Sequence, residues 1–403
     1  MARWKMMRVL VGVLMSVILL AGGYAAGLSV TPAAGSAKDV TPSPQLEIQP
    51  LAPAYEVVPL ETEYVTACAI QHHPVAIDPN HPAPAIKENL DNMIRVMEGT
   101  YHAMFGGHKH LMVFEEFPLC GYDNTWTREE WLRIAIEVPN GKEVKAIGEW
   151  AKEHGTYVFF GTHFQEPDEW PGHFFNGCIL IGPTGEIILK HWKAYSGFPG
   201  LGLEYATTVH DVLDEFLERY GWDAVWPVAR TPIGNLAGYV CSEGFVPETA
   251  RSYAYQGAEI LCRIFGGGGY GGGETHRTRF QMDCSFNSCW GVYSNSGSGV
   301  TINRVQRPAN SRGGGSFICD NKGNILIEAA DFSEQAIIYR IPIAEFRKTH
   351  KIPNIRTEIY VPIAEHNPGR YPPNLYTLYQ QEHNGELPPT PEAAREWTLQ
   401  HER

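Results

Sequence analysis

From Val65 onward the apolar positions fall into two alternating periods. Val65 to Gln71 is a short apolar run that predicts a first strand. Ile86, Leu90, Met93, Ile94 and Met97 then recur at helical spacing and predict an amphipathic helix, and His110 to Phe114 predicts a second, buried strand. A like unit follows, with a helix marked by Val144, Ile147, Trp150 and Ala151, a stop at Gly155 and a strand from Thr156 to Phe164. A third unit runs from a strand at Leu236 to Val240, through a helix at Glu248 to Gln256, to a strand at Glu259 to Phe265. Strands alternating with helices predict an α/β fold.

Two segments depart from that rhythm. Cys178 to Leu189 (CILIGPTGEIIL) and Ser316 to Ile327 (SFICDNKGNILI) each place a glycine-containing turn between apolar runs, which predicts hairpins. Their likeness predicts equivalent places on the edges of a two-sheet core. Val209, Val212, Leu213, Phe216, Leu217 and Tyr220 form a further helical stripe within about Thr207 to Tyr220. Gly266 to Gly273 is glycine-rich but lacks the Lys-Ser/Thr that a phosphate-binding loop requires, and it reads as a loop after a strand.

The ends differ from the middle. Arg3, Lys5 and Arg8 precede 13 mostly apolar residues, Val9 to Ala21, the pattern of a secretory signal. Extended to Val30, the stretch is 22 residues, enough to cross a bilayer once. Residues 1–30 are therefore expected to be a signal peptide or N-terminal anchor. The folded domain is then expected to lie outside the cytoplasm and to touch membrane only through that segment. Residues 31–60, rich in Pro, Ala and Ser, read as a linker. Residues 61–345 read as the folded domain. Residues 346–403, where Pro and charge rise, read as an extension that wraps a partner or the body.

Composition narrows the function. With 43% hydrophobic and 19% charged residues, the chain is expected to be globular. Its net charge of -13 repels phosphate backbones, so nucleic acid is not an expected partner. The eight cysteines form no Cys-x-x-Cys pair, and the histidine pairs His72-His73 and His108/His110 have no carboxylate at metal-ligand spacing, so neither a metal nor a cofactor is expected.

Three segments carry candidate chemistry. Phe114 to Tyr122 (FEEFPLCGY) puts a carboxylate at a strand's C-terminal end, where open α/β sheets hold ligands. Ile188 to Tyr195 (ILKHWKAY) puts an ammonium at another strand end. In Gly238 to Leu261, Cys241 stands on the turn from a strand into a helix that opens near Pro247, a setting that favours a thiolate. A thiol becomes a strong nucleophile only when a base takes its proton. Glu116 can act as that base, with Glu115 the lesser alternative. Lys193 and the backbone N–H after Cys241 can stabilise the charge that develops on an attacked carbonyl or nitrile.

These segments resemble the signatures of the nitrilase superfamily of carbon–nitrogen hydrolases. Glu116 and Tyr122 match its Glu-x5-Tyr segment, and Lys193 in KHWK matches its lysine after a glycine hairpin. Pro247, Glu248 and Arg251 stand six, seven and ten residues after Cys241, as in the family, and Gly257 to Ile260 continue the pattern. The stretch from Cys241 through Arg263 looks most like the aliphatic amidase and formamidase branch. The resemblance spans about residues 62–345. It implies an α-β-β-α sandwich of two mixed β-sheets flanked by helices, a homo-oligomer with the C-terminal tail in its interface, and catalytic Glu116, Lys193 and Cys241. The implied reaction cleaves a small linear amide to acid and ammonia through a Cys acyl-thioester; a nitrilase, an N-carbamoyl amide hydrolase and a non-catalytic scaffold of the same fold stay as alternatives. Ser242 and Tyr122 are supporting candidates, as is Glu204, which stands farther after the lysine than the family's second Glu. Tyr122 and Trp192 are candidates for lining the pocket. Glu115 stands where the family usually has Pro, and Ser242 where an aromatic or acidic residue is common.

Overall fold

The computed structural model describes residues 55–123, 125–195, 205–266, 273–297, 301–302, 305–306 and 313–403. The expected signal or anchor segment lies outside them. Among the described residues no helix is long and apolar enough to cross a membrane.

The elements follow the two periods of the sequence. They run β1 (Val65–Gln71), α1 (Pro82–Tyr101), β2 (Leu111–Val113), α2 (Arg128–Ile134), β3 (Ile136–Glu137), α3 (Lys142–His154), β4 (Tyr157–Gln165), β5 (Phe175–Ile181) and β6 (Ile187–Trp192). Next come α4 (Leu213–Tyr220), β7 (Ala229–Thr231), β8 (Gly234–Val240), α5 (Pro247–Tyr255), β9 (Ile260–Phe265), α6 (Gly273–Asn287) and β10 (Trp290–Asn295). The chain continues through β11 (Thr301–Ile302), β12 (Val305–Gln306), β13 (Phe317–Cys319), β14 (Ile325–Glu328), β15 (Gln335–Ile341) and α7 (Ile343–Thr349). It closes with α8 (Thr357–Glu365), α9 (Leu375–Glu382) and α10 (Pro391–Gln400).

One sheet has the order β15-β1-β2-β4-β5-β6, with β3 extending the pairing of β4, and the other β14-β13-β10-β9-β8-β7. Each has parallel strands at its centre (β1-β2-β4 and β8-β9-β10) and antiparallel strands outside. Both predicted hairpins, β5-β6 and β13-β14, sit on sheet edges, as their likeness predicts.

The sheets face each other. All seven residues of β1 are buried, because its odd positions meet one layer and its even positions another. Val65, Ala67 and Ala69 join Leu236, Val240, Ile260 and Val292 of the second sheet in the inter-sheet core. Cys68 and Ile70 face Met93 and Met97 of α1 on the outside. On the far side, Tyr239, Leu261 and Tyr293 meet Tyr253 of α5 and Phe280 of α6. The layers are thus helix, sheet, sheet, helix, the sandwich that the resemblance implies. Each large apolar side chain so buried contributes about 1.5–3 kcal/mol.

Local signals set the boundaries. Gly155 ends α3 at φ +61°, a conformation that glycine enters without a Cβ penalty. The stripe at 207–220 divides into a 3₁₀ turn, Val209–Val212, and α4. Thr208 and Asp211 close that turn: the Asp211 carboxylate accepts from the Thr208 N–H at 2.9 Å and its hydroxyl at 2.7 Å. At its C-terminal end the chain packs on the body. The Tyr205 hydroxyl and Arg128 Nε both donate to the Pro388 carbonyl (3.1 and 2.8 Å), Tyr376 donates to the Tyr205 carbonyl (3.1 Å), and Trp397 is buried.

Candidate active site

The carboxylate end of the site is built at the C-terminal rim of the first sheet. Past β2 the chain keeps pairing with β4: Phe114 N–H donates to Phe159 O (2.8 Å) and Gly161 N–H to Glu115 O (3.0 Å). Extended backbone sends consecutive side chains to opposite faces. Glu115 turns to His72, whose Nδ1 lies 3.2 Å from Oε1, with both side chains fully buried. The fold thus supplies His72 with the carboxylate neighbour that its sequence surroundings lack, because β1 and β2 are adjacent parallel strands. Glu116 turns the other way, into the site.

Glu116 is 2% exposed and held on both oxygens. Asn176 Nδ2 on β5 donates to Oε1 at 2.8 Å, and the Gly266 N–H, just past β9, donates to Oε2 at 2.8 Å. Lys193 Nζ lies 3.6 Å from Oε1. The close packing needs glycine twice. A Cβ on Gly161 would stand 2.5 Å from the Glu116 carbonyl oxygen, and one on Gly266 would stand 2.3 Å from Phe117 and 2.8 Å from Glu116 Oε2.

Lys193, 1% exposed, leaves the end of β6. Its N–H donates to Asn176 O at 2.9 Å, so the residue that holds Glu116 also holds the lysine backbone.

Cys241 follows β8 at the start of the 3₁₀ turn Cys241–Phe245 that leads into α5. Its φ is +47°. A non-glycine residue there carries about 1–3 kcal/mol of strain, a cost that persists where neighbours fix the backbone. The neighbours are Arg263, fully buried, whose Nη2 donates to Cys241 O at 2.9 Å, and Glu243. Val240 pairs with Ile264 in the parallel β8-β9 register. Cys241 and Gly266 therefore leave adjacent strand ends, about 4.8 Å apart laterally, and Gly266 grips Glu116. Burial chiefly raises the Tyr293 phenol, and Cys241 and Glu116 raise it further against Arg263 and Arg277, so thiol and carboxylate share one buried neighbour. None of the eight cysteines is in a disulfide; Cys241 is part-exposed and the other seven are buried.

Glu243 ties the two sheets together at this rim. Its fully buried carboxylate accepts from the Val240 N–H (2.8 Å) and the Ala194 N–H (2.7 Å), with His191 Nε2 at 2.9 and 3.0 Å. One carboxylate thus fixes the residue before Cys241 and the residue after Lys193. Glu243→Gln should put an amide N–H₂ against one of these donors. The expected cost is about 2 kcal/mol of stability, with a loss of turnover, checked by chemical denaturation beside an activity assay; an unchanged unfolding midpoint would remove the clamp from the account.

The other candidates fall in different places. Tyr122 stacks on Phe117 (5.1 Å) and lines a small cavity with Asp123, Trp131, His163, Phe174 and Tyr205. His163 in that wall lies well below the ordinary imidazole range, first through burial and then through the Lys193 ammonium. Ser242 is buried next to Cys241. Glu204 lies outside the described residues. Trp192 does not line this cavity: it packs on Phe216 (5.2 Å) and Tyr220 (5.0 Å), and its indole N–H donates to Glu166 at 2.6 Å. The alternation along β6 turns it to the helix layer, away from the second sheet. Asn176, Gly266, His191 and Glu243 were not picked out in the sequence; the one local signal was the place of Glu243 two residues after Cys241.

The chain is similar to known proteins in sequence and in fold. The family model for carbon-nitrogen hydrolases matches residues 66–351. A formamidase of Bacillus thuringiensis is 32% identical over 195 residues, which cover 46% of this chain and 51% of the formamidase. The chain therefore spans about half the length of the curated relatives it matches. Among solved structures, Saccharomyces cerevisiae Nit3, a member of branch 10 of the nitrilase superfamily, is 15% identical with a TM-score of 0.57, covering 75% of this chain and 99% of that one. An amidase from Nesterenkonia sp. AN1, solved in complex with acrylamide, is 15% identical with a TM-score of 0.52, covering 77% of this chain and 100% of that one. Those two likenesses establish the fold; with the family match across most of the body, the chain belongs to the carbon-nitrogen hydrolase family.

Proposed function

We propose that this protein hydrolyses a small linear amide to a carboxylic acid and ammonia through a thioester on Cys241. The observation that carries the reading is the buried Glu116–Lys193 contact at 3.6 Å, joined through Gly266 to the strand end beside Cys241. Glu116 takes the thiol proton, and the thiolate sulfur bonds to the amide carbon. The Lys193 ammonium and the Ser242 N–H stabilise the oxyanion. As the C–N bond breaks, Glu116 returns the proton to the leaving nitrogen and ammonia departs. Water, deprotonated by Glu116, then attacks the thioester and releases the acid and the thiol. The likeness to formamidases, and the acrylamide complex of the Nesterenkonia amidase, favour a short amide over a nitrile.

The same reading includes an exported or membrane-anchored protein, from the basic and apolar N-terminus, and a homo-oligomer, from the family likeness. The test is ammonia release by the full chain from parallel series of short linear amides, nitriles and N-carbamoyl compounds. Release from the amides is expected. Release from nitriles alone, or from N-carbamoyl compounds alone, would overturn the assignment, and release from none would leave the fold as a binding scaffold.

A further inference from the structure

We infer that Glu98, His102 and His154 form a surface site for a divalent transition ion of the zinc class, on the outer helical layer and separate from the reacting groups. Glu98 and His102 stand one turn apart at the C-terminal end of α1, and His154 is the last residue of α3. Glu98 Oε1 lies 2.8 Å from His102 Nε2, and Oε2 lies 3.3 Å from His154 Nε2. The three ligand atoms all lie within 4.8 Å of one another. A tetrahedral zinc ion with bonds of about 2.0–2.1 Å needs its ligands about 3.3 Å apart, so small side-chain rotations suffice.

The second observation is the orientation of His154. Its Nδ1 is 2.9 Å from the Trp150 carbonyl, which can only accept, so Nδ1 carries a proton. Nε2, the other ring nitrogen, is therefore the one turned toward the Glu98 carboxylate, where an ion can be held between them. A backbone carbonyl fixing the far nitrogen of a ligating imidazole is the usual outer support of a metal site. Trp150 adds more: its indole N–H donates to Glu98 Oε2 at 2.9 Å, and its ring stacks on His154 at 4.1 Å.

The surroundings favour a cation. Two helices of 20 and 13 residues end here, and their last carbonyls bring the negative ends of both macrodipoles to one place. The side chains of His102 and Glu98 are 67% and 47% exposed, and that of His154 is 12% exposed, so an ion can enter and a water can complete the coordination. Two imidazoles with one carboxylate select zinc, nickel or copper over calcium or magnesium, which prefer oxygen. The neighbouring His108 and His110 are engaged elsewhere, with the Gly155 carbonyl (3.2 Å) and the Thr66 N–H (3.0 Å).

The experiment is calorimetric titration of the chelator-treated full chain with Zn²⁺ alone, for Cys241→Ala and for His102→Ala and His154→Ala made in that background, so that the part-exposed thiol is absent throughout. One ion per chain is expected, with affinity falling about 10- to 100-fold or more in each histidine variant. His102 is exposed and its removal should leave the fold intact, and each variant's unfolding midpoint without metal is measured alongside. A Co²⁺ spectrum free of thiolate charge-transfer bands should accompany binding. Retained affinity in either histidine variant would overturn the site, as would a His154–Glu98 ion pair that takes up no metal.

Discussion

Cys241→Ala should abolish ammonia release from amides, lowering kcat/KM by about 10⁴-fold or more, as loss of a nucleophile does elsewhere. In the proposed route the sulfur is the atom that bonds to substrate, and the seven other thiols are buried, so no neighbour can replace it. Burial alone pushes Cys262 above the ordinary thiol range, and Cys120 is raised to about 11 by burial foremost, which keeps both as unreactive thiols. The fold should survive the substitution. Alanine fills less space than cysteine at a part-exposed position, and both carry the same penalty at φ +47°. The paired measurements are initial rates and a thermal unfolding midpoint. Rates within tenfold of wild type, in a folded variant, would refute the thioester route.

Glu116→Gln should follow closely, with kcat/KM reduced by about 10²–10⁴-fold, the range over which a positioned base contributes. The change is nearly isosteric, yet its chemistry is wrong twice. Glutamine cannot take the thiol proton. Its amide must also point a donor at Asn176 Nδ2 or at the Gly266 N–H, both of which donate now, while the ammonium 3.6 Å away loses its anion. A stability loss of about 1–3 kcal/mol should therefore accompany the kinetic one. Intact-mass analysis during turnover separates the two. A base needed for both steps predicts no acyl adduct on Cys241 in the variant. A stable adduct would confine Glu116 to the second step.

Much of this was legible along the chain because it is local. A hairpin needs a glycine turn between apolar runs, and both hairpins lie where their likeness put them, on opposite sheets' edges. Glu116, Lys193 and Cys241 could be read because each ends a strand and sits in its own short pattern. What held them could not. Asn176 reaches Glu116 across 60 residues, Gly266 across 150, and Glu243 reaches His191 across 52. Nothing near any of these residues announces its partner, because the contacts come from strand order within the first sheet and from the stacking of two sheets. Trp192 misled for the opposite reason: its neighbour is a site residue, but strand alternation sends adjacent side chains to different layers.

The carboxylate shared by Val240 and Ala194 has a consequence for how such a site can diversify. If the sheets slide, the sulfur and the ammonium travel together, because one anchor holds both strand ends. Reactive spacing is thereby insulated from changes elsewhere in the framework. Changes of specificity would then fall first to residues that this anchor does not hold.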